Sequence, residues 1–104
     1  MRKGQVVTLR TPAALYRLAP PEEVAGWIAE DRASGDVFTS AGEPKLYSAV
    51  QSVDRRTETD STFVILQAKN VDLPGWYRDP VVALRSVATG LTRYAFRRSL
   101  TVVA

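Results

Sequence analysis

Neither cysteine nor histidine occurs in this chain of 104 residues. Their absence excludes disulfide bonds, thiolate nucleophiles and zinc sites of the common Cys/His type. It also removes the side chain that most readily acts as a general base near neutral pH. We therefore expect a protein that is not an enzyme and that holds no metal ion or other cofactor.

Long apolar runs are missing as well. No stretch approaches the roughly 18 apolar residues that a membrane-spanning helix needs, and residues 1–5 do not begin a signal-peptide apolar block. Apolar residues make up 45% of the chain and charged residues 24%, which is typical of globular proteins. These features predict one soluble, cytoplasmic domain over residues 1–104 that has no contact with a membrane.

Acidic residues are absent from both ends of the chain. All eleven lie between Glu22 and Asp79, where six basic residues leave a net charge of −5. Residues 1–21 carry +4, and residues 80–104 also carry +4. This division decides which surfaces attract anionic partners, and it would let one copy of the chain attract another.

Local signals are clearest in three segments. Residues 5–10 and 61–69 are short β-branched runs and predict strands. Residues 21–34 predict an amphipathic helix packed through Trp27, because Pro21 and two glutamates suit its first turn and Gly35 can cap its end.

The other elements follow from weaker patterns. Residues 45–53 fit a helix or a strand, and we take them as a strand that forms a hairpin with residues 61–69. Asp79 and Pro80 resemble a helix start, which predicts a helix ending at Gly90. Beyond Gly90, alternating apolar and polar residues predict a final strand, although residues 91–98 could instead continue that helix.

The predicted order is strand, helix, strand, strand, helix, strand. This order belongs to the ferredoxin-like α+β arrangement, with two helices on a four-stranded antiparallel sheet. In that sheet the last strand lies beside the first, so the two basic ends of the chain should meet.

The segment Trp76, Tyr77 and Arg78 is the candidate protein-binding site, because it follows the turn signal Pro74 and Gly75. Large aromatic side chains bury much area at little cost in rotamer entropy and are favoured as interface anchors. The alternative is that Trp76 folds back over the core.

Residues 92–99 (TRYAFRRS) interleave aromatic side chains with arginines, a composition suited to nucleic acid. Residues four apart share a side in both a helix and a strand, so Arg93 and Arg97 should project together while Arg98 points elsewhere. Alternatively, Tyr94 and Phe96 are core residues. The candidate nucleic-acid-binding residues, drawn from both chain ends, are Arg2, Lys3, Arg10, Arg93, Arg97 and Arg98.

The acidic residues of the loop 54–60 could in principle bind a divalent cation, but the spacing of a calcium loop is missing. We interpret the segment as a solvated hairpin loop. The leading functional hypothesis is a small accessory, assembly or inhibitor protein of a bacterium or mobile element, which binds another protein or copies of itself. The alternative is a nucleic-acid-binding protein that uses its arginines on backbone phosphate.

Overall fold

The structure is a computed structural model that describes residues 1–10, 13–73 and 80–103. In these ranges it has seven strands, one α-helix and one 3₁₀ helix. The strands are β1 Val6–Leu9, β2 Tyr16–Leu18, β3 Val50–Ser52, β4 Thr62–Gln67, β5 Val81–Ser86, β6 Thr92–Phe96 and β7 Leu100–Val102. The α-helix, α1, is Pro21–Ser34, and the 3₁₀ helix is Arg97–Ser99.

The strands form one antiparallel sheet in the order β3-β2-β6-β5-β4-β1-β7. The described chain is therefore mostly sheet and has a single α-helix. The predicted ferredoxin-like fold, with two helices on four strands, is wrong.

Residues 80–90 account for the missing second helix, because they form β5 and the turn that follows it. Residues 81–84 are all buried, so β5 is covered on both faces. Such a strand has no apolar and polar alternation, and its continuous apolar run mimics the stripe of a helix. Gly90, the predicted helix cap, has a φ of 74° in the turn between β5 and β6.

The predicted hairpin of residues 45–53 with 61–69 is also wrong. Only Val50–Ser52 is a strand in the first segment, and it pairs with β2 in the register Tyr16↔Ser52 and Leu18↔Val50. The second segment forms β4, which pairs with β1 and β5. Residues 54–60 therefore connect two strands that lie far apart in the sheet.

The predicted final strand is two strands. Tyr94, Phe96, Leu100 and Val102 follow an alternating pattern, but this pattern would place Arg98 on the apolar side. The 3₁₀ helix interrupts the extended chain at this point, so β6 pairs with β5 and β2 while β7 pairs with β1.

The core lies on one face of the central strands. Cross-strand partners such as Val7↔Phe63, Ile65↔Leu84 and Val82↔Ala95 are all buried. Each large apolar side chain that is fully buried contributes about 1.5–3 kcal/mol. This core holds in place the strands that carry both chain ends.

The helix α1 confirms the predicted bounds, since it runs from Pro21 to Ser34 and Gly35 caps it with a φ of 75°. Positive φ is a conformation that glycine adopts without strain. No residue of α1 is fully buried and Trp27 is partly buried, so the packing of the helix through Trp27 stays a prediction.

The chain divides into two compact units. The sheet unit comprises Met1–Leu18 and Val50–Ala104, and the helical unit comprises Ala19–Ala49. The single domain over residues 1–104 stays a prediction. Among the described helices, none is long and apolar enough to cross a membrane.

Candidate binding site at the chain ends

The two basic ends of the chain come together because β7 lies beside β1. The Arg10 amide N–H donates to the Ser99 carbonyl oxygen at 2.9 Å, and Arg10 Nε donates to Thr101 Oγ1 at 3.2 Å. The last strand thus adjoins the first, although in a different sheet from the ferredoxin-like one that suggested it.

An open pocket of about 390 Å³ lies where these ends meet. Its described lining consists of three basic and three apolar residues, and we call it the arginine pocket: Arg10, Arg97, Arg98, Met1, Pro80 and Leu100. Three guanidinium groups make this described lining basic, and a basic surface favours anionic groups. A guanidinium group can bind both oxygens of a carboxylate, or two oxygens of a phosphate, through parallel N–H donors.

The 3₁₀ helix brings two of these arginines to the pocket. The Arg97 amide N–H donates to the Pro80 carbonyl oxygen at 2.9 Å, which ties this turn to the start of β5. The Arg98 guanidinium carbon lies 4.5 Å from the centre of the Phe96 ring, a cation–π contact. The predicted pairing of Arg93 with Arg97, and apart from Arg98, is wrong because the turn breaks the period of the strand.

Arg93 is held by a carboxylate from the loop 54–60. Its Nε lies 2.7 Å from Glu58 Oε1, and its second donor lies 2.9 Å from Glu58 Oε2. The two side chains are only 12% and 19% exposed. Arg93 therefore anchors the loop to the sheet and does not line the arginine pocket.

Arg2 and Lys3 are exposed and do not line the arginine pocket, although Met1 does. The Arg2 amide N–H donates to Gln5 Oε1 at 2.6 Å, which fixes the start of the chain as a tight turn. Of the six candidate nucleic-acid-binding residues, the structure thus brings three into one pocket. Trp76, Tyr77 and Arg78, the candidate protein-binding residues, lie outside the described residues.

The loop 54–60 is more firmly bound than a solvated loop. The Asp60 carboxylate accepts a hydrogen bond from the hydroxyl of Ser86, a residue that is only 1% exposed. The Asp54 carboxylate accepts a hydrogen bond from the Arg56 amide at 2.9 Å. The carboxylates of this loop therefore hold the chain in place. In the described ranges, no group of three metal-ligating acidic side chains is present.

A second pocket, of about 350 Å³, lies beside this loop and includes Asp60 in its lining. The nearby Ser86 hydroxyl is buried and already bound to the Asp60 carboxylate. A nucleophile must reach its substrate, so this pair has the geometry of a structural contact rather than of a catalytic site.

β7 forms one edge of the sheet, next to the arginine pocket. Val102 and Val103 are 42% and 60% exposed, although both lie in or directly after a strand. An edge strand leaves one row of backbone groups available for pairing. Sequence reasoning missed this edge because it treated residues 93–102 as one continuous strand, and Arg98 on the apolar side was the signal that could have revealed the break.

The division of charge follows the two units. The helical unit has two basic and six acidic residues, a net charge of −4, and the sheet unit has twelve basic and five acidic residues, a net charge of +7.

No family model matches this chain, and neither a curated protein nor a solved structure matches it.

Proposed function

We propose that this protein is a small non-enzymatic module that binds an acidic segment of another protein at the arginine pocket. The observation that carries this proposal is the pocket itself, where Arg10, Arg97 and Arg98 converge. A carboxylate placed there would form charge-assisted hydrogen bonds, which are stronger than those between neutral groups.

The apolar half of the lining favours a protein over a nucleic acid. Met1, Pro80 and Leu100 contribute apolar surface to the same pocket as the arginines. A peptide presents carboxylates and apolar side chains next to one another, whereas the surface of a sugar-phosphate backbone is dominated by charged and polar groups. The engagement of Arg93 by Glu58 also removes one basic side chain from any phosphate-binding surface.

A second copy of the chain is a candidate source of the acidic segment. The helical unit carries −4 and the sheet unit +7, so copies attract one another through unlike surfaces. Contacts between unlike surfaces can continue into rings or filaments. Sedimentation velocity over a range of protein concentrations detects such association of copies of the chain.

The proposal is tested by fluorescence anisotropy with a labelled peptide in which Glu alternates with Val, and with DNA probes as competitors. We expect the peptide to bind and its affinity to fall with added salt. Arg97→Glu should weaken binding about tenfold, which corresponds to about 1.4 kcal/mol. Lys69→Glu is the matched control, because Lys69 is exposed and lies outside the pocket.

Two results would overturn the proposal. One is equal weakening by Arg97→Glu and Lys69→Glu, which would reduce the effect to net charge. The other is a DNA affinity that far exceeds the peptide affinity and has a steep linear dependence on log salt, which is the behaviour of phosphate-backbone binding.

A further inference from the structure

The backbone pairing of β7 shows which of its groups face away from the sheet. The Arg10 N–H donates to the Ser99 oxygen and the Val103 N–H donates to the Val6 oxygen, both at 2.9 Å. In an antiparallel pair, hydrogen-bonded and non-hydrogen-bonded positions alternate. Residues 99, 101 and 103 therefore direct their backbone groups to β1, while Leu100 and Val102 direct theirs to the open edge.

The open edge offers three backbone groups. The Leu100 N–H is already bonded to the Arg97 oxygen within the 3₁₀ helix, which leaves the Leu100 oxygen and both backbone groups of Val102. β7 is last in the strand order, and no strand of the described residues lies beyond it. An added strand would satisfy these groups, as in other complexes formed by strand addition.

Charge decides what kind of strand fits this edge. Leu100 belongs to β7 and also lines the arginine pocket, so the edge leads directly to Arg97 and Arg98. The strand β7 of a second copy would bring no carboxylate to these arginines, because residues 80–104 contain no acidic residue. An acidic strand would instead place its carboxylates beside the guanidinium groups.

We infer that an extended acidic segment of a protein partner adds to β7 as an eighth strand and places a carboxylate side chain in the arginine pocket. This inference rests on the proposed function, because it specifies how the same partner binds. Backbone pairing supplies part of the affinity, and the alternate side chains, which reach the arginines, supply the specificity.

Val102→Pro tests the backbone pairing. Proline removes the Val102 N–H, which faces the open edge, and proline is tolerated in edge strands when its position does not donate to the ladder. The fold should therefore persist, as judged by circular dichroism, while the Glu-Val peptide binds roughly fivefold more weakly through the loss of one backbone hydrogen bond. Val102→Ala keeps the N–H and removes most of the exposed side chain, so it is the matched control.

A peptide variant provides a second test that does not depend on the stability of the protein. N-methylation of alternate peptide residues removes every N–H on one edge, and methylation of the other residues removes those on the opposite edge. If a strand adds to β7, one methylated peptide loses binding and the other retains it.

The outcomes separate this inference from the proposed function. Equal binding of both methylated peptides, with the Arg97→Glu effect intact, overturns strand addition and leaves the function in place. Absence of binding by any Glu-Val peptide overturns both. A dimer of the wild-type chain that Val102→Pro abolishes and Arg97→Glu leaves intact also overturns the inference, because the occupant would then be a second β7 and not an acidic segment.

Discussion

Loss of the contact between Arg93 and Glu58 should destabilise the protein without weakening peptide binding at the arginine pocket. Both side chains are largely buried, at 12% and 19% exposure, and two donor–acceptor distances of 2.7 and 2.9 Å make the pair bidentate. Glu58→Gln would leave the Arg93 guanidinium mostly buried and without its counter-charge. Removal of one partner from a fully buried pair costs about 3–5 kcal/mol.

The remaining exposure of both side chains reduces this cost, because water solvates part of the orphaned charge. We therefore expect Glu58→Gln to lower the free energy of unfolding by about 2–3 kcal/mol. At about 4–8 °C per kcal/mol for a domain of similar size, the melting temperature should fall by roughly 10–20 °C. Urea unfolding and differential scanning calorimetry measure the two quantities.

A double-mutant cycle isolates the contact. Arg93→Met should cost a similar amount, and the double variant Glu58→Gln with Arg93→Met should cost less than the sum, since no uncompensated charge remains. Arg56→Met is the matched control: Arg56 pairs with Asp54 at 3.3 Å but is 92% exposed, so it should cost less than about 0.5 kcal/mol. If Glu58→Gln costs no more than Arg56→Met, Arg93 is not an anchor, and its removal from the binding surface is wrong.

Three further predictions concern other anchored positions. Ser86→Ala removes the buried hydroxyl that donates to Asp60, and urea unfolding should show a loss of about 1–3 kcal/mol, with an unchanged midpoint as the contrary result. Gly35→Ala should lower helix stability by about 1–2 kcal/mol, because Gly35 has a φ of 75°. Gly26→Ala inside α1 should instead raise helix stability by about 0.5–1 kcal/mol, because no atom lies within 4 Å of the new Cβ. Thermal circular dichroism compares the two, and equal effects would contradict the assigned cap. The third prediction concerns alkaline pH. The hydrogen bond to Asp36 raises the pKa of Lys45, and the hydrogen bond to Asp31 raises the pKa of Tyr47. Raised values mean stabilisation that is complete below the ordinary pKa values of 10.5 and 10.0 and is lost as the pH rises through the folded values. Ultraviolet titration of tyrosinate should therefore show a late step that Tyr47→Phe removes, and a late step that this substitution leaves unchanged, or no late step at all, would count against the contact.

The sequence by itself determined the elements whose signals are local. The bounds of α1 follow from Pro21 at the first turn and Gly35 at the cap, both of which act within a few residues of the helix ends. β1 and β4 follow from β-branched runs. The division of charge between chain ends and centre is likewise a property of the sequence alone.

Only the tertiary structure decided which strands pair and what each arginine does. β5 looks helical in sequence because its burial on both faces erases the alternation, and that burial arises from neighbours distant in the chain. Arg93 has a structural role because it binds Glu58, which lies 35 residues earlier in the chain. No local sequence pattern predicts a contact between residues that far apart. Arg97 and Arg98 share a pocket with Arg10 only because the 3₁₀ helix leads into β7, which pairs with β1. Such pairings depend on long-range contacts in the folded chain, so residue spacing alone could not specify the site.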